Sequence, residues 1–220
     1  FLNMKKVALI VAGGKGLRMN SDIPKQFLLL KGTPVLMHTI EKFSYLDKII
    51  LVLPKYQILF WEELCTTHNF TIPHTITEGG ETRFHSVRNG LDRVDNNSIV
   101  AIHDGVRPLV SNILIDNLIS EIKSKIGVIP IVPLKDSIRK GEGENTFHVD
   151  RSNLYKVQTP QCFLSSDIKN AYTQEYAEKF TDDASVFESN RGNIKTILGE
   201  DKNLKITTEE DLKIASVLCY

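Results

Sequence analysis

Apolar residues fall into two rhythms along this chain. Val7–Val11 (VALIV), Ile49–Leu53 (IILVL), Ile99–Ile102 (IVAI) and Val128–Val132 (VIPIV) are short, nearly unbroken apolar runs. Runs of this length without polar alternation predict strands covered on both faces. Between them the spacing changes to three and four. Val35, Leu36, Thr39, Ile40 and Phe43 follow it, as do Leu114, Ile115, Leu118, Ile119 and Ile122, and later Leu212, Ala215 and Leu218. Thr82–Val94 reads the same way, with Val87, Leu91 and Val94 as its inner stripe. These are helix spacings. Alternating strands and helices predict an α/β fold of three layers, Rossmann-like, with a mostly parallel sheet in the middle. Ligands in such sheets sit at the carboxyl ends of the strands.

One stretch breaks the pattern. From Leu134 to Tyr155 the chain reads LKDSIRKGEGENTFHVDRSNLY, polar throughout, with a Gly-Glu-Gly-Glu turn between two extended arms. A two-stranded hairpin with so little apolar surface is not stable alone. It lies on its own domain as a solvated hairpin, or it reaches onto another subunit.

At 220 residues the chain suits one sizeable domain, expected over residues 4–220 because no repeat, low-complexity tract or linker divides it. Residues 1–3, Phe-Leu-Asn, read as a remnant of cloning and stand outside that domain. Hydrophobic residues make up 41% and charged residues 25%, with 27 basic against 27 acidic, so any basic site must be local. That balance gives no support for a nucleic-acid partner. The longest apolar stretch is far short of the ~20 residues that a membrane span requires. Cys65, Cys162 and Cys219 are odd in number and scattered, which argues against a disulfide framework or a zinc site. They read as small buried hydrophobes in a reducing cytoplasm.

Chemistry concentrates just past the first strand, in VALIVAGGKGLRMNSDIPKQF. A P-loop needs Gly-Lys-Ser/Thr, but Gly16 is followed by Leu17 and Arg18. A dinucleotide fingerprint needs a third glycine where Met19 stands. What remains is Ala12-Gly13-Gly14-x-Gly16-x-Arg18, then Pro24-Lys25-Gln26. Glycines let successive N–H groups turn inward around an anion, and Arg18 and Lys25 would bring two cations to a triphosphate. Such cations stabilise charge that grows during phosphoryl or nucleotidyl transfer. An ordinary strand-to-helix turn with two surface cations is the plain alternative.

Two further motifs stand at expected strand ends. In EGGETRFHSV, Gly79-Gly80 gives a tight entry to a helix whose free N–H groups can meet a polar ligand, or simply be capped. In AIHDGVRP, Asp104 follows a buried strand, where an acid beside a triphosphate can hold Mg²⁺ or a sugar hydroxyl. His103 reads as structural rather than as a general base. A phosphate monoester, with a second pKa of about 6, is already a nucleophilic dianion at neutral pH.

AGGKGLRM, PKQF, EGGETRFHSV, HDGVRP, PLKDS, DRSNLYKVQTPQ, TDDAS and NLKITTEEDL occur in this order between Val7 and about Leu218. Together they resemble the 2-C-methyl-D-erythritol 4-phosphate cytidylyltransferase family, one of the sugar- and polyol-phosphate nucleotidyltransferases. The resemblance implies transfer of CMP from CTP to the polyol phosphate with release of pyrophosphate, in non-mevalonate isoprenoid precursor synthesis, with Mg²⁺ or another divalent cation. It assigns Ala12, Gly13, Gly14 and Gly16 to CTP, with Arg18 and Lys25 as catalytic cations. It also assigns Gly80, Glu81, Arg83 and Ser86 to CTP, at the cytosine ring. Asp104 falls to the metal and to ribose or substrate hydroxyls. Arg107, Arg151 and Lys205 fall to the acceptor phosphate, the last two as catalytic residues, and Thr181 and Ser137 add hydroxyls. The hairpin, about residues 134–156, would be an arm exchanged in a homodimer, so that Ser137 and Arg151 serve the other subunit. Gly13, Gly105 and Ser137 depart from the family's commonest alanine, alanine and threonine. AGG, HD-x-VR and the ITT-x-x-DL ending also occur in ribitol-5-phosphate cytidylyltransferases, which leaves the acceptor open between the two. A different sugar nucleotidyltransferase and a non-catalytic nucleotide-binding module are the wider alternatives; intact Arg18 and Lys25 speak against the second.

Overall fold

A computed structural model describes residues 4–13 and 23–219. Its elements in chain order are β1 (Lys5–Val11), β2 (Leu29–Leu30), β3 (Thr33–Pro34), α1 (Val35–Lys42), β4 (Lys48–Leu53), α2 (Ile58–Thr67) and β5 (Thr75–Glu78). Then come α3 (Arg83–Leu91), β6 (Ser98–Asp104), α4 (Asn112–Ser120), β7 (Ile126–Pro133), β8 (Ile138–Glu142) and β9 (Asn145–Val149). The chain continues through β10 (Tyr155–Val157), β11 (Gln161–Leu164), α5 (Ser165–Ala171), α6 (Asp183–Ser189), β12 (Asn193–Leu198) and α7 (Glu209–Leu218).

The four apolar runs become β1, β4, β6 and β7, each extended slightly beyond its apolar core. Strand β1 lies between β4 and β6, parallel to both, with Val11 paired to Val52 on one side and to Asp104 on the other. Strand β5 continues the parallel order beyond β4. On the other side β11 runs antiparallel between β6 and β7. Strand β10 pairs antiparallel with β7, and β12 pairs parallel with it. The sheet is therefore mostly parallel, with the β10–β11 segment as the reversed portion.

Alternation along β1 shows why the run is uninterrupted. Val7, Leu9 and Val11 enter a core with Phe84, Val87 and Leu91 of α3, Ile168 of α5 and Phe187 of α6. Ala8, Ile10 and Ala12 enter the opposite core with Leu36 and Ile40 of α1, Trp61 of α2 and Leu118 of α4. Both faces of the strand are covered, so both sets must be apolar. A third cluster joins Val106 and Leu109 to Ile206 and Ala215, and so fastens α7 and the segment before it beside the end of β6. Helix α3 starts one residue later than its periodicity predicts, because Thr82 is the cap, its hydroxyl accepting the His85 N–H. It ends at Leu91, while Val94 is still buried beyond it.

The polar segment forms the expected hairpin. β8 and β9 pair from Ile138–Val149 to Glu142–Asn145, and Gly143 takes the left-handed conformation (φ +54°) that the two-residue turn requires. Its strands make a separate two-stranded sheet, and Phe147 is exposed on it. Cys162 is buried as expected, whereas Cys65 and Cys219 are only half-buried; all three are free. Among the described residues no helix is long and apolar enough to cross a membrane.

Candidate active site

The carboxyl ends of β1, β4, β5 and β6 open into one cavity of about 630 Å³. Val11, Ala12 and Gly13 form its floor at the end of β1. Gly80, Glu81, Thr82, Arg83 and Ser86 bring the first turn of α3 to its wall. Lys25, Asp104 and Lys205 supply charge. Nine residues expected from the sequence thus meet here: Ala12, Gly13, Lys25, Gly80, Glu81, Arg83, Ser86, Asp104 and Lys205. Gly14, Gly16 and Arg18 lie outside the described residues.

The glycine turn before α3 is closed by Ser86, whose Oγ accepts the Gly80 N–H at 3.1 Å. A Cβ on Gly80 would come within 2.4 Å of the His85 Cβ and 3.2 Å of its carbonyl carbon, so only glycine fits this close approach. The turn that carries Lys25 is tied down by its neighbour. Gln26 is buried, and its Nε2 donates to the Ala12 carbonyl at 3.0 Å and to Gln57 Oε1 at 2.6 Å. That amide joins the end of β1 to the turn bearing Tyr56, an exposed aromatic at the mouth of the cavity.

Asp104 is the electrostatic centre. Lys205 Nζ lies 3.0 Å from its Oδ2, Arg107 Nε 3.5 Å from the same oxygen, and Arg83 Nε 3.4 Å from Oδ1. Burial opposes ionisation of this carboxyl, but Arg83, Lys205 and Arg107 outweigh it and hold it well below the usual carboxylate range. Arg107 itself is buried behind Asp104, with Nη1 donating to the Asn203 carbonyl at 2.9 Å, and it does not line the cavity. Arg83 reaches past Asp104 to the fully buried Asp183, bonding both carboxylate oxygens at 2.9 and 2.7 Å.

His103 is structural, as its sequence context predicts. It is fully buried, with Nε2 3.1 Å from the Arg107 carbonyl, which can only accept, so Nε2 carries the proton. Nδ1 then accepts from Thr159 Oγ1 at 3.0 Å, and the same hydroxyl accepts the Asp104 N–H at 3.1 Å. Burial lowers the ring pKa from 6.5 to about 4, so the ring is neutral and both nitrogens are engaged. The ring braces Asp104 from below.

Three expected residues lie apart from this cavity within the chain. Ser137 is exposed just before β8, and Arg151 is exposed just after β9, where its Nη1 bonds the Lys135 carbonyl. Thr181 is exposed, one residue before the Asp182 cap of α6. Conversely, sequence reasoning passed over Gln26, Tyr56, Thr159, Tyr172 and Asp183. Gln26 stands inside the PKQF motif and was within reach; Asp183 stands inside TDDAS but reads there as an acid of a capping turn, and nothing in the sequence singles out Tyr56.

The family model described as 2-C-methyl-D-erythritol 4-phosphate cytidylyltransferase matches residues 6–219. The chain belongs to this family. A cytidylyltransferase of that name from Azobacteroides pseudotrichonymphae is 51% identical over 218 residues, covering 97% of this chain and 98% of the relative. One from Bacteroides fragilis is 49% identical, covering 98% of this chain and all of the relative. Among solved structures, the Francisella tularensis 2-C-methyl-D-erythritol 4-phosphate cytidylyltransferase superposes with a TM-score of 0.79 at 30% identity, over 97% of this chain and 99% of that one. The family's fold and the α/β architecture described above agree.

Proposed function

We infer that this protein is a CTP-dependent cytidylyltransferase. It transfers CMP from CTP to 2-C-methyl-D-erythritol 4-phosphate, giving 4-diphosphocytidyl-2-C-methyl-D-erythritol and pyrophosphate. The observation that carries the reading is the convergence of Lys25, Arg83, Lys205 and the buried carboxylate of Asp104 on one cavity at the strand ends. An acceptor phosphate oxygen attacks the α-phosphorus of CTP in line. A new phosphorus–oxygen bond forms, the α–β anhydride breaks, and the electron pair leaves with pyrophosphate. The main obstacle is repulsion between two anions, which fixed cations and positioning lower.

Lys25 serves the triphosphate beside the backbone of Ala12 and Gly13; the family resemblance gives Gly14, Gly16 and Arg18 the same role. The narrow turn at Gly80, with Glu81, Arg83 and Ser86, receives the cytosine and ribose; a small pocket rejects purines by size. Lys205 directs its charge at the acceptor phosphate, and Arg107, buried behind Asp104, acts on it through its field; Thr181, apart from the cavity, would have to reach that phosphate from beyond the cavity rim. No base is needed for the attacking dianion. His103, with both nitrogens engaged, is not placed to act as one. Among the described residues no cluster of three His, Cys, Asp or Glu could hold a metal. A single ionised carboxylate suits Mg²⁺, which takes one or two such ligands and completes its shell with phosphate oxygens and water. Asp104 would hold it, and the ion would offset triphosphate charge.

The hairpin is read as an arm that embraces a second copy and carries Ser137 and Arg151 to that copy's site. The surface of the arm and its root supports this: Phe147 on the arm, and Leu154, Tyr155, Val157 and Leu198 near its root, are exposed large hydrophobics. One nucleotidyltransferase domain over 4–220, acting in the cytoplasm as a homodimer, completes the reading. The test is pyrophosphate release from CTP and Mg²⁺ with methylerythritol phosphate, ribitol 5-phosphate and, separately, UTP in place of CTP. Methylerythritol phosphate with CTP is expected to be fastest. Preference for ribitol phosphate overturns the acceptor, and CTP binding without pyrophosphate from any acceptor overturns the enzyme.

A further inference from the structure

Of the buried acids, Asp183 takes no part in the reaction as described, yet it is fully buried beside the site. It occupies the first turn of α6, whose start is rigidly fastened. Asp182 and Ser185 form a reciprocal capping box, and the Gln161 side chain bonds both Asp182 Oδ2 and the Ala184 N–H, each at 2.8 Å. Tyr172, from the residue following α5, donates its hydroxyl to Asp183 Oδ1 at 2.6 Å, while its ring stacks on Phe84 at 4.7 Å. Both carboxylate oxygens of Asp183 meet the Arg83 guanidinium end-on. This bidentate pairing fixes a guanidinium in plane and direction as well as in charge. Burial alone would favour loss of the Arg83 proton; Asp183, and then Asp104, keep it charged.

We propose that Asp183 is a positioning residue for nucleotidyl transfer: anchored by Tyr172, it clamps Arg83 so that the guanidinium holds Asp104 and faces the cavity in one orientation. The inference rests on the reading of the cavity given under Proposed function. Asp183 touches no ligand, since it is sealed from solvent, and acts wholly through Arg83. Two of the five Arg83 N–H groups remain beyond its bonds to Asp183 and Asp104, and the clamp decides where they are presented.

Asp183→Asn keeps the size and leaves one accepting oxygen facing the guanidinium, while its amide repels the other fork. It should lower kcat/KM by 10- to 100-fold in folded protein. Tyr172→Phe removes only the hydroxyl and retains the stack on Phe84; it should lower kcat/KM three- to tenfold with a Tm close to that of the wild type. The double variant should be no slower than Asp183→Asn alone, because both changes act through one carboxylate. A merely structural Asp183 predicts losses that track Tm and multiply in the double variant. Multiplied losses, or wild-type kcat/KM in folded Tyr172→Phe, overturn the proposal even where Asp183→Asn fails to fold. Side-chain spectra of ¹⁵N-arginine protein, with CTP absent, separate this outcome from failure of the functional reading. Arg83 should show distinct, slowly exchanging Nη signals that collapse in Tyr172→Phe. A freely rotating Arg83 in the wild type sinks the clamp whatever the protein catalyses.

Discussion

Replacing His103 separates two readings of the HD pair, one that makes the ring a brace and one that makes it a base. In the native protein the ring is neutral, with its pKa brought from 6.5 to about 4 by burial. In the unfolded chain it takes up a proton near 6.5. Unfolding below that pH therefore binds a proton, and acid favours the unfolded chain. The contribution is whole above pH 6.5 and is lost as pH falls towards 4. At ~1.4 kcal/mol per pKa unit, the full loss is about 3 kcal/mol. Asp104 does not blur this window. Its carboxyl lies well below the ordinary value of 3.8, so its contribution persists above that value and fades only in stronger acid. Urea unfolding followed by the fluorescence of Trp61, the single tryptophan, measures the slope. His103→Gln should be less stable at neutral pH but should show a flatter dependence across that window. The acidic limb of kcat/KM should survive in the variant, because it belongs to the second ionisation of the substrate phosphate, at about 6. Equal slopes in variant and wild type would refute the buried neutral ring. Disappearance of the limb would restore the ring as a base.

Two other substitutions probe parts of the site that differ in kind. Gly80→Ala drives a methyl into the His85 Cβ and backbone at the start of α3. Such crowding costs about 1–3 kcal/mol, so the Kd for CTP, measured by calorimetry, should rise roughly 5- to 150-fold; unchanged affinity would remove the Gly80 turn from the nucleotide site. Mixing Arg151→Ala chains with Lys25→Ala chains should restore activity at one site of each hybrid dimer, and verified hybrids that stay inactive would refute arm sharing.

The legible parts of the fold are those in which one residue's environment is repeated by its neighbours. β1, β4, β6 and β7 are buried on both faces, so their runs stand out without any knowledge of partners. Strand β12, NIKTIL, is half-exposed at the sheet margin, and β11 has only four residues, so neither carries a pattern long enough to read. The site divides similarly. Gly80, Asp104 and Lys25 announce themselves through motifs that have a mechanism at short range. Asp183 and its partner Arg83 are 100 residues apart, and the acid resembles any other in a capping turn until the fold unites them. Tyr172 is still less visible: its spacing fits a core aromatic, which it also is.

Solvent exposure within the charged cluster assigns the cations different freedom. Lys205 is 41% exposed, Arg83 28% and Arg107 11%, yet all three contact the same carboxylate. Gathering three cations in a partly buried space is unfavourable unless acids lie among them, and Asp104 and Asp183 meet that need before any substrate arrives. On the proposed reading, an incoming phosphate would compete with Asp104 for its cation. Lys205, a flexible point charge on the exposed side, exchanges one oxygen partner for another at small cost. Arg107 is held by the Asn203 carbonyl and Arg83 by Asp183, so each retains its protein partner and acts through its field. That field is weakly screened because both side chains are largely removed from solvent. Catalysis by fixed charge requires such a division, because a cluster in which every cation swung towards the ligand would spend binding on reorganisation instead of on the transition state.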